Sequence, residues 1–252
     1  MTGDILEIHG VGHSFAGLRV LQSVEIAVPQ GGLVGLIGPN GSGKTTLFNI
    51  VTGYLKPATG SVAYEGRPLD GVPIQARSRA GLVRTFQTPK IFEQMSVLEN
   101  VMVGCCKATQ TGFIGDLIRG PTSRQVFRQM KETAEEACKK FGLTPILHNE
   151  ARYTTAGQRR ILELARATVG TPKLLLLDEP SAGLTPQEIE QLKDWIRRLN
   201  GEGISVLLVS HDMGLMSVVN TVHVLYFGSI IASGGMAEIQ KNARVREVYL
   251  GV

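Results

Sequence analysis

The sequence predicts an α/β fold with an open central sheet, and three apolar runs carry this prediction. Leu33–Ile37, Lys173–Leu177 and Ser205–Val209 are of strand length and show no alternation of apolar and polar positions. Such runs are typical of strands that are buried on both faces of a sheet. Helical patterns lie between the runs, as expected when helices pack on the sheet.

The first run leads into GPNGSGKTT, which matches the phosphate-binding loop pattern G-x-x-x-x-G-K-[ST]. Its glycines let the main chain curl so that N–H groups point at phosphate oxygens. The helix that follows, ending at Gly53, adds the partial positive charge of its N-terminus. We expect Lys44 to reach the β- and γ-phosphates of a nucleotide and the Thr45 hydroxyl to contact Mg²⁺. The residues assigned to nucleotide binding here are Gly38, Pro39, Asn40, Gly41, Ser42, Gly43, Lys44, Thr45 and Thr46.

Three shorter strands are predicted beside this core. Ile5–Ile8 and Val20–Val28 precede the loop, and Ser61–Tyr64 follows the loop helix. They suggest a small antiparallel sheet. Phe15 is placed on the connection between the first two strands.

The next part of the chain changes in character after Gln87. A short helix at Ile74–Gly81 and a strand at Leu82–Phe86 lead up to this glutamine. Beyond it, Ser96 is followed three residues later by Glu99, which is the capping-box spacing that begins a helix.

Helical patterns dominate the region that follows. Ser123–Phe141 is the clearest amphipathic helix, because its apolar residues share one face. The Gly- and Thr-rich stretch 109–122 predicts a loop, and Gln158–Val169 predicts another helix. We therefore predict that residues 88–165 form a mostly helical insertion in the α/β core of one domain, residues 1–252.

The last third of the chain returns to the α/β pattern. Pro186–Leu199 predicts a helix with proline at its first position and Thr185 as its N-cap. Val222–Phe227 and Ser229–Ala232 predict a hairpin that turns at Gly228. Two short predicted helices, which begin at Ala237 and Val245, close the chain.

Polar residues follow the second and third apolar runs directly. Ligands gather at the carboxyl ends of strands in open α/β sheets, so we expect Asp178 to hold Mg²⁺, through water. Glu179 can polarise a water molecule for in-line attack on the γ-phosphate. Without the phosphate loop, the same two residues would indicate only a strand that ends in a solvated Asp-Glu pair. His211 is a candidate contact of the γ-phosphate, although a single histidine is more often an ordinary core or surface residue.

The composition excludes several classes of protein. The 252 residues are 43% hydrophobic and 19% charged, which is typical of a globular chain rather than a disordered one. The formal net charge is only +4 and the basic residues are not clustered, so nucleic acid is not an expected partner. No stretch approaches the roughly 20 apolar residues of a membrane span.

Cys105, Cys106 and Cys138 lack the spacing of a metal site or a disulfide framework, so we expect reduced, partly buried thiols, as in the cytoplasm.

In their order along the chain, these segments resemble the ATP-binding subunit of an ABC transporter over essentially the whole sequence. The resemblance rests on Phe15, the phosphate loop, Gln87, an A-G-Q segment, LLLLDEP, SAGL and VSHD. It implies a P-loop ABC ATPase that binds ATP and Mg²⁺, in which Phe15 stacks on adenine and Gln87 contacts Mg²⁺ or the attacking water. Glu179 would be the catalytic carboxylate and His211 the switch histidine. The signature residues, which would line the ATP of a partner subunit, are Thr155, Ala156, Gly157 and Gln158.

A narrower resemblance is to the branched-chain (hydrophobic) amino-acid uptake subfamily. It rests on RTFQ at residues 84–87, FEQMSVLENV at residues 92–101 and VYLG at residues 248–251. The resemblance implies a second ATP-binding subunit (the same or a homologous chain), membrane permease subunits, and a periplasmic or extracellular binding protein that acts indirectly. The chain would lie at the cytoplasmic face of the cell membrane, with residues 92–101 against a permease subunit. Hydrophobic amino acids are the default substrate, and urea, amides and aromatic acids stay open.

Two positions depart from the wider family pattern. The signature reads TTAGQ where the family has LSGGQ, and Thr185 stands where an aspartate is usual. Thr155 keeps the hydroxyl group, whereas Ala156 brings a Cβ to a position where glycine allows closer approach and a positive φ. Three rival hypotheses stay open: an ABC ATPase that works without a membrane channel, a GTPase, which the missing N-K-x-D motif disfavours, and a non-catalytic nucleotide sensor.

Overall fold

The computed structural model of the chain describes residues 3–105 and 121–250. The chain divides into two compact units. The first unit combines Met1–Arg84 with Lys173–Val252, and the second is Thr85–Pro172. The predicted helical insertion at residues 88–165 falls within the second unit.

The first unit contains a four-stranded antiparallel sheet. Its strands are β1 (Asp4–Phe15), β2 (Leu18–Pro29), β4 (Thr59–Tyr64) and β5 (Arg67–Pro68). Their order in the sheet is β2-β1-β4-β5. The predicted antiparallel sheet is thus confirmed, with strands that are longer than predicted, so that Phe15 is the last residue of β1 rather than part of a connection.

The second sheet of the first unit has six strands. They are β3 (Leu33–Ile37), β6 (Leu82–Arg84), β7 (Leu174–Asp178), β8 (Ser205–Val209), β9 (Thr221–Tyr226) and β10 (Ser229–Gly234). The order is β10-β9-β3-β8-β7-β6, in which β10 is antiparallel to β9 and the other neighbours are parallel. Every residue of β3, β7 and β8 is buried, which explains why these strands are apolar apart from Ser205 at the start of β8 and Asp178 at the end of β7. The bounds predicted for β3 and β8 are confirmed.

Helices connect the strands of the first unit and make up most of the second. They are α1 (Lys44–Thr52), α2 (Ile74–Arg79), α3 (Val97–Cys105), α4 (Pro121–Lys140), α5 (Ala156–Thr168), α6 (Pro186–Gly201), α7 (Met213–Met216), α8 (Met236–Lys241) and α9 (Ala243–Leu250). Helix α1 ends before Gly53, as predicted, and Gly53 has the left-handed conformation. Thr185 caps α6, as predicted, since its Oγ1 accepts a hydrogen bond from the Glu188 N–H. Helix α7 was not predicted.

The strand predicted at Leu82–Phe86 is shorter than expected, because β6 ends at Arg84. Beyond this point the main chain bonds with side chains instead of a neighbouring strand. The Phe86 N–H donates to Glu163 Oε1 and the Phe86 carbonyl accepts from Arg160 Nη1. Gln87 therefore lies beyond the strand end.

The described part of the second unit confirms the predicted start of α3. Ser96 N and Oγ each donate to Glu99 Oε2 over 2.7 Å, and Glu99 N donates to Ser96 Oγ over 3.2 Å, which forms the predicted capping box. The loop predicted at residues 109–122 falls mostly outside the described residues. Helix α4 begins at Pro121, before the predicted Ser123.

The burial predicted for the cysteines is found where the structure describes them. Cys105 and Cys138 are buried. Burial raises the pKa of the Cys138 thiol to about 11, so the reactive thiolate form is suppressed at neutral pH. Cys106 lies outside the described residues.

Helix length and apolarity bear on whether the chain could enter a bilayer. Within residues 3–105 and 121–250, none of the helices is both long and apolar enough to cross a membrane.

Candidate active site

The phosphate loop joins β3 to α1 in a conformation that its glycines make possible. Ser42 N donates to the Pro39 carbonyl over 3.2 Å, which closes a turn inside the loop. Gly43, the N-cap of α1, has φ 110°. A Cβ at Gly43 would lie 2.8 Å from the Val20 carbonyl oxygen of β2, so both the backbone angle and the close approach require glycine.

The turn between β9 and β10 supports the loop from the other side. Gly228 N donates to the Ser42 carbonyl over 3.0 Å, and Gln22 N donates to the Gly228 carbonyl over 2.7 Å. A Cβ at Gly228 would lie 2.4 Å from the Val20 carbonyl oxygen. The sequence indicated Gly228 only as a hairpin turn, and its hydrogen bond to the phosphate loop was not predicted.

Lys44 is buried and points along the loop. Its Nζ donates to the carbonyls of Gly38 over 2.6 Å and Pro39 over 3.0 Å. Burial lowers the pKa of Lys44, and the carboxylates of Glu179 and Asp178 oppose this shift. The loop lysine and the two acidic residues predicted to act with it are therefore close enough to interact electrostatically.

The loop also presents a hydroxyl group suited to a phosphate. Ser42 Oγ is buried and has no hydrogen-bond partner among the described residues. A buried polar atom normally has a partner, and a phosphate oxygen would supply one. Thr45 and Thr46 lie in the first turn of α1, where N–H groups and the helix dipole favour anions. The loop residues therefore fit a nucleotide phosphate.

Asp178 ends β7, and its carboxylate is held by Arg84. Arg84 Nη2 donates to Asp178 Oδ2 over 2.6 Å, and Nη1 donates to Asn49 Oδ1 of α1 over 2.7 Å. Both side chains of the ion pair are 6% exposed. Arg84 thus fixes the carboxylate and connects β7 to the loop helix, a role that the sequence pattern did not reveal.

Glu179 lies next to Asp178 in an unusual backbone conformation. Its φ is 46°, and left-handed backbone is uncommon for a residue other than glycine. Glu179 N donates to the Val209 carbonyl at the end of β8 over 2.9 Å. Its Oε2 lies 2.9 Å from His211 Nδ1 and accepts a hydrogen bond from His211 N over 3.3 Å. The structure therefore brings together two of the predicted catalytic residues, which lie on different strand ends.

The described residues can hold a divalent cation only with help from other oxygen ligands. Asp178 supplies a carboxylate and Thr45 a hydroxyl group, both hard oxygen donors. Within the described ranges, the side chains of His, Cys, Asp and Glu form no group of three or more that could hold a metal ion. One or two carboxylates together with substrate phosphates and water is the usual protein environment of Mg²⁺, so these residues fit that ion.

Phe15 and the second-unit residues complete the predicted set. Phe15 is 47% exposed at the end of β1, and its ring lies 4.6 Å from the His13 ring in an edge-on arrangement. Gln87 belongs to the second unit and is exposed.

The signature segment forms the N-terminus of α5 in the second unit. Thr155 is the N-cap, its Oγ1 accepts from Gln158 N over 3.2 Å, and Gln158 Oε1 accepts from Thr155 N over 2.9 Å. Ala156 is the first residue of the helix and does not have a positive φ. The alanine is therefore compatible with the backbone here, and Gly157, the next residue, is buried.

Profiles of known families match two parts of the chain. Residues 21–182, more than half of the chain, match the family described as ABC transporter. The chain belongs to the ABC transporter family. Residues 229–252 match the description Branched-chain amino acid ATP-binding cassette transporter. As an ABC transporter ATPase, the chain binds ATP and couples its hydrolysis to transport.

Individual ABC proteins are similar over the full length. BraF, a high-affinity branched-chain amino acid transport ATP-binding protein of Pseudomonas aeruginosa, is 37% identical over 100% of this chain and 99% of its own. LivG of Escherichia coli K12, described in the same words, is 36% identical over the same shares. Among solved structures, the ADP conformation of the ATP-binding cassette MJ1267 has a TM-score of 0.85 and 29% identity, and it covers 100% of both chains. The predicted ABC ATPase fold is therefore confirmed.

Proposed function

We propose that this chain energises a membrane importer for branched-chain or other hydrophobic amino acids. The observation that carries the proposal is the full-length similarity to BraF and LivG. The match of residues 229–252 to the branched-chain family supports it independently, because this segment lies outside the general ABC match. Uptake of urea, amides or aromatic acids is the alternative.

Transport by the assembled complex tests the substrate. The chain would be reconstituted in vesicles with its permease subunits, its partner ATPase and the binding protein. We expect ATP-driven uptake of labelled leucine that unlabelled isoleucine and valine suppress and that urea and amides do not. Uptake of urea or an amide without uptake of leucine would contradict the proposed substrate while leaving the ATPase assignment in place.

Within the site, we propose that the loop from Gly38 to Thr46 binds the phosphates and that Phe15 stacks on adenine. Glu179 polarises the attacking water, since its carboxylate is held beside His211 and acts electrostatically on Lys44. His211, which hydrogen-bonds Glu179, contacts the γ-phosphate. Mg²⁺, when bound, neutralises charge on the phosphate oxygens. The residues proposed to hold Mg²⁺ are Thr45, Gln87 and Asp178.

The working unit is proposed to be a dimer of ATP-binding subunits, either two copies or two homologous chains. The chain carries both a phosphate loop and the signature residues 155–158, and in the resemblance these face each other across two subunits. Thr155 Oγ1 accepts a bond from Gln158 N yet keeps its own proton, which can be donated to a phosphate oxygen of the partner's ATP. Ala156, Gly157 and Gln158 would line the same phosphate.

The proposed importer function also implies where the chain lies and which other subunits it works with. We propose that residues 1–252 act as one nucleotide-binding domain at the cytoplasmic face of the membrane, held there by permease subunits. A periplasmic or extracellular binding protein would deliver the substrate without touching this chain. Nucleic acid is not a proposed partner, in keeping with the net charge of +4.

Removal of the loop lysine tests nucleotide binding directly. Lys44→Ala is expected to weaken ATP binding by roughly 10- to 100-fold, because a charge-assisted hydrogen bond contributes about 1.5–3 kcal/mol. Calorimetric titration with ATP measures this effect. Lys131→Ala is the matched control, since Lys131 lies on α4 and forms an ion pair with Glu135 at the surface. Binding of wild-type strength by Lys44→Ala would contradict the assignment of the loop.

A further inference from the structure

Three charged side chains at every third position of α5 contact the main chain around Gln87. They are Arg160, Glu163 and Arg166. Arg160 and Glu163 are 1% and 2% exposed, and Arg160 Nη1 donates to Glu163 Oε2 over 2.7 Å. This buried ion pair belongs to none of the motifs discussed above.

The ion pair grips the peptide groups on both sides of Gln87. Arg160 Nη1 donates to the Phe86 carbonyl over 2.9 Å, and Nη2 donates to the Gln87 carbonyl over 2.8 Å. Glu163 Oε1 accepts from Phe86 N over 3.2 Å. The planar guanidinium of Arg160 therefore binds two successive carbonyls, those of Phe86 and Gln87. The carboxylate of its partner Glu163 binds the Phe86 N–H, which precedes both carbonyls in the chain. Arg166 continues the row by donating from Nη2 to the Lys90 carbonyl.

These contacts take the place of secondary structure. Residues 85–90 form neither helix nor strand, so their N–H and carbonyl groups need other partners. Burial of an ion pair costs desolvation free energy, and apolar residues of similar volume often stabilise a fold as well or better. Burial raises the pKa of Glu163, and the charge of Arg160 and the N–H groups of Phe86 and Lys90 oppose that shift. A fixed path for the main chain is what the pair provides and an apolar pair would not.

We propose that Arg160 and Glu163 are positioning residues that set the direction of the Gln87 side chain. The inference rests on the proposed role of Gln87 in hydrolysis. Both residues lie on the helix whose N-terminus carries the signature segment, so hydrogen bonds from this one helix hold the Gln87 backbone within the second unit.

A double-mutant cycle between Arg160 and Gln87 tests the proposal. In the reconstituted transporter, Arg160→Met is expected to lower kcat for ATP hydrolysis on the order of 10- to 100-fold, as a misplaced catalytic group does. ATP affinity should stay within about twofold, since the bonds of Lys44 are untouched. In the Gln87→Ala background, Arg160→Met should have little further effect, because the group that it positions is already gone.

A second readout measures the backbone itself. Amide hydrogen exchange at residues 86–90 should become faster in Arg160→Met and in Arg160→Lys, while exchange in α4 stays unchanged. The lysine variant keeps the charge but cannot bridge two carbonyls with a planar fork, and it covers the case in which the methionine variant folds poorly. Arg128→Met is the control, because Arg128 is 81% exposed in its pair with Glu132 and should leave both readouts unchanged.

The outcomes separate the two proposals. If Arg160→Met lowered kcat by the same factor in the wild-type and Gln87→Ala backgrounds, the positioning role would be overturned. Unchanged amide hydrogen exchange at residues 86–90 would overturn it as well. A Gln87→Ala variant with unchanged kcat would instead overturn the proposed role of Gln87. The exchange measurement would then still decide whether Arg160 fixes the backbone.

Discussion

Glu179→Gln is expected to lower kcat for ATP hydrolysis by about 10²- to 10⁴-fold, while ATP binding stays close to wild type. The amide keeps the size of the side chain but cannot accept a proton from the attacking water. The loop contacts of Lys44 do not involve Glu179, so the binding of phosphate should persist. Phosphate release by the assembled transporter gives kcat, and calorimetry gives the affinity for ATP.

The geometry around Glu179 indicates that this substitution removes the carboxylate charge without disturbing the backbone. The residue has φ 46°, and glutamine has the same backbone preferences, so the backbone strain does not change. Glutamine Oε1 can still accept the hydrogen bond from His211 N. Glu190→Gln is the control, since the Glu190 carboxylate is 67% exposed on α6. A kcat within a factor of about three of wild type would mean that another group activates the water.

The central sheet and the phosphate loop could be predicted because their signals are local. β3 and β8 are buried on both faces, so each strand is a continuous apolar run with clear ends. The loop has a fixed spacing of glycines before Lys44, and Gly53 ends the helix after it. In each case a few neighbouring residues determine the conformation.

The contacts that hold the site together could not be predicted in this way. Arg84 and Asp178 are 94 residues apart in the sequence, and no neighbouring residue of Arg84 indicates an ion pair. The bond from Gly228 to the loop involves main-chain atoms, which carry no sequence signal of their own. Such partners become visible only when the strand order β9-β3-β8-β7-β6 places them near the loop.

Both departures from the family pattern lie at the start of a helix, where the sequence carries a capping-box spacing. Thr155 with Gln158, and Thr185 with Glu188, both have the spacing of a capping box, and both boxes are formed. Threonine and aspartate are both good N-cap residues, so Thr185 keeps the helix start that an aspartate would provide. The sequence analysis assigned the cap to Thr185 but considered Thr155 only as a signature residue.

Arg84→Met is expected to lower the free energy of unfolding by about 3–5 kcal/mol, because it leaves the buried Asp178 carboxylate without its partner. The variant also loses the bond to Asn49 and the packing of the guanidinium on the Phe48 ring, 5.4 Å away. Denaturant titration without nucleotide or Mg²⁺ measures the effect on the fold alone. Arg128→Met is the control, because it makes the same substitution at an exposed arginine. It is expected to lower the free energy of unfolding by less than about 1 kcal/mol.

Asp178→Asn decides whether the effect of Arg84→Met comes from the ion pair. If the uncompensated carboxylate causes most of the loss, Arg84→Met combined with Asp178→Asn should be markedly more stable than the sum of the single losses predicts, with a coupling of roughly 1–3 kcal/mol. Strict additivity would mean that Arg84 acts through Asn49 and Phe48 and not through Asp178. Coupling would mean that the carboxylate proposed to hold Mg²⁺ is fixed by an arginine on the neighbouring strand before any nucleotide binds. The loop helix and β7 would then be linked through Arg84, by its hydrogen bond to Asn49 and its ion pair with Asp178, so that a shift of either element would move the carboxylate.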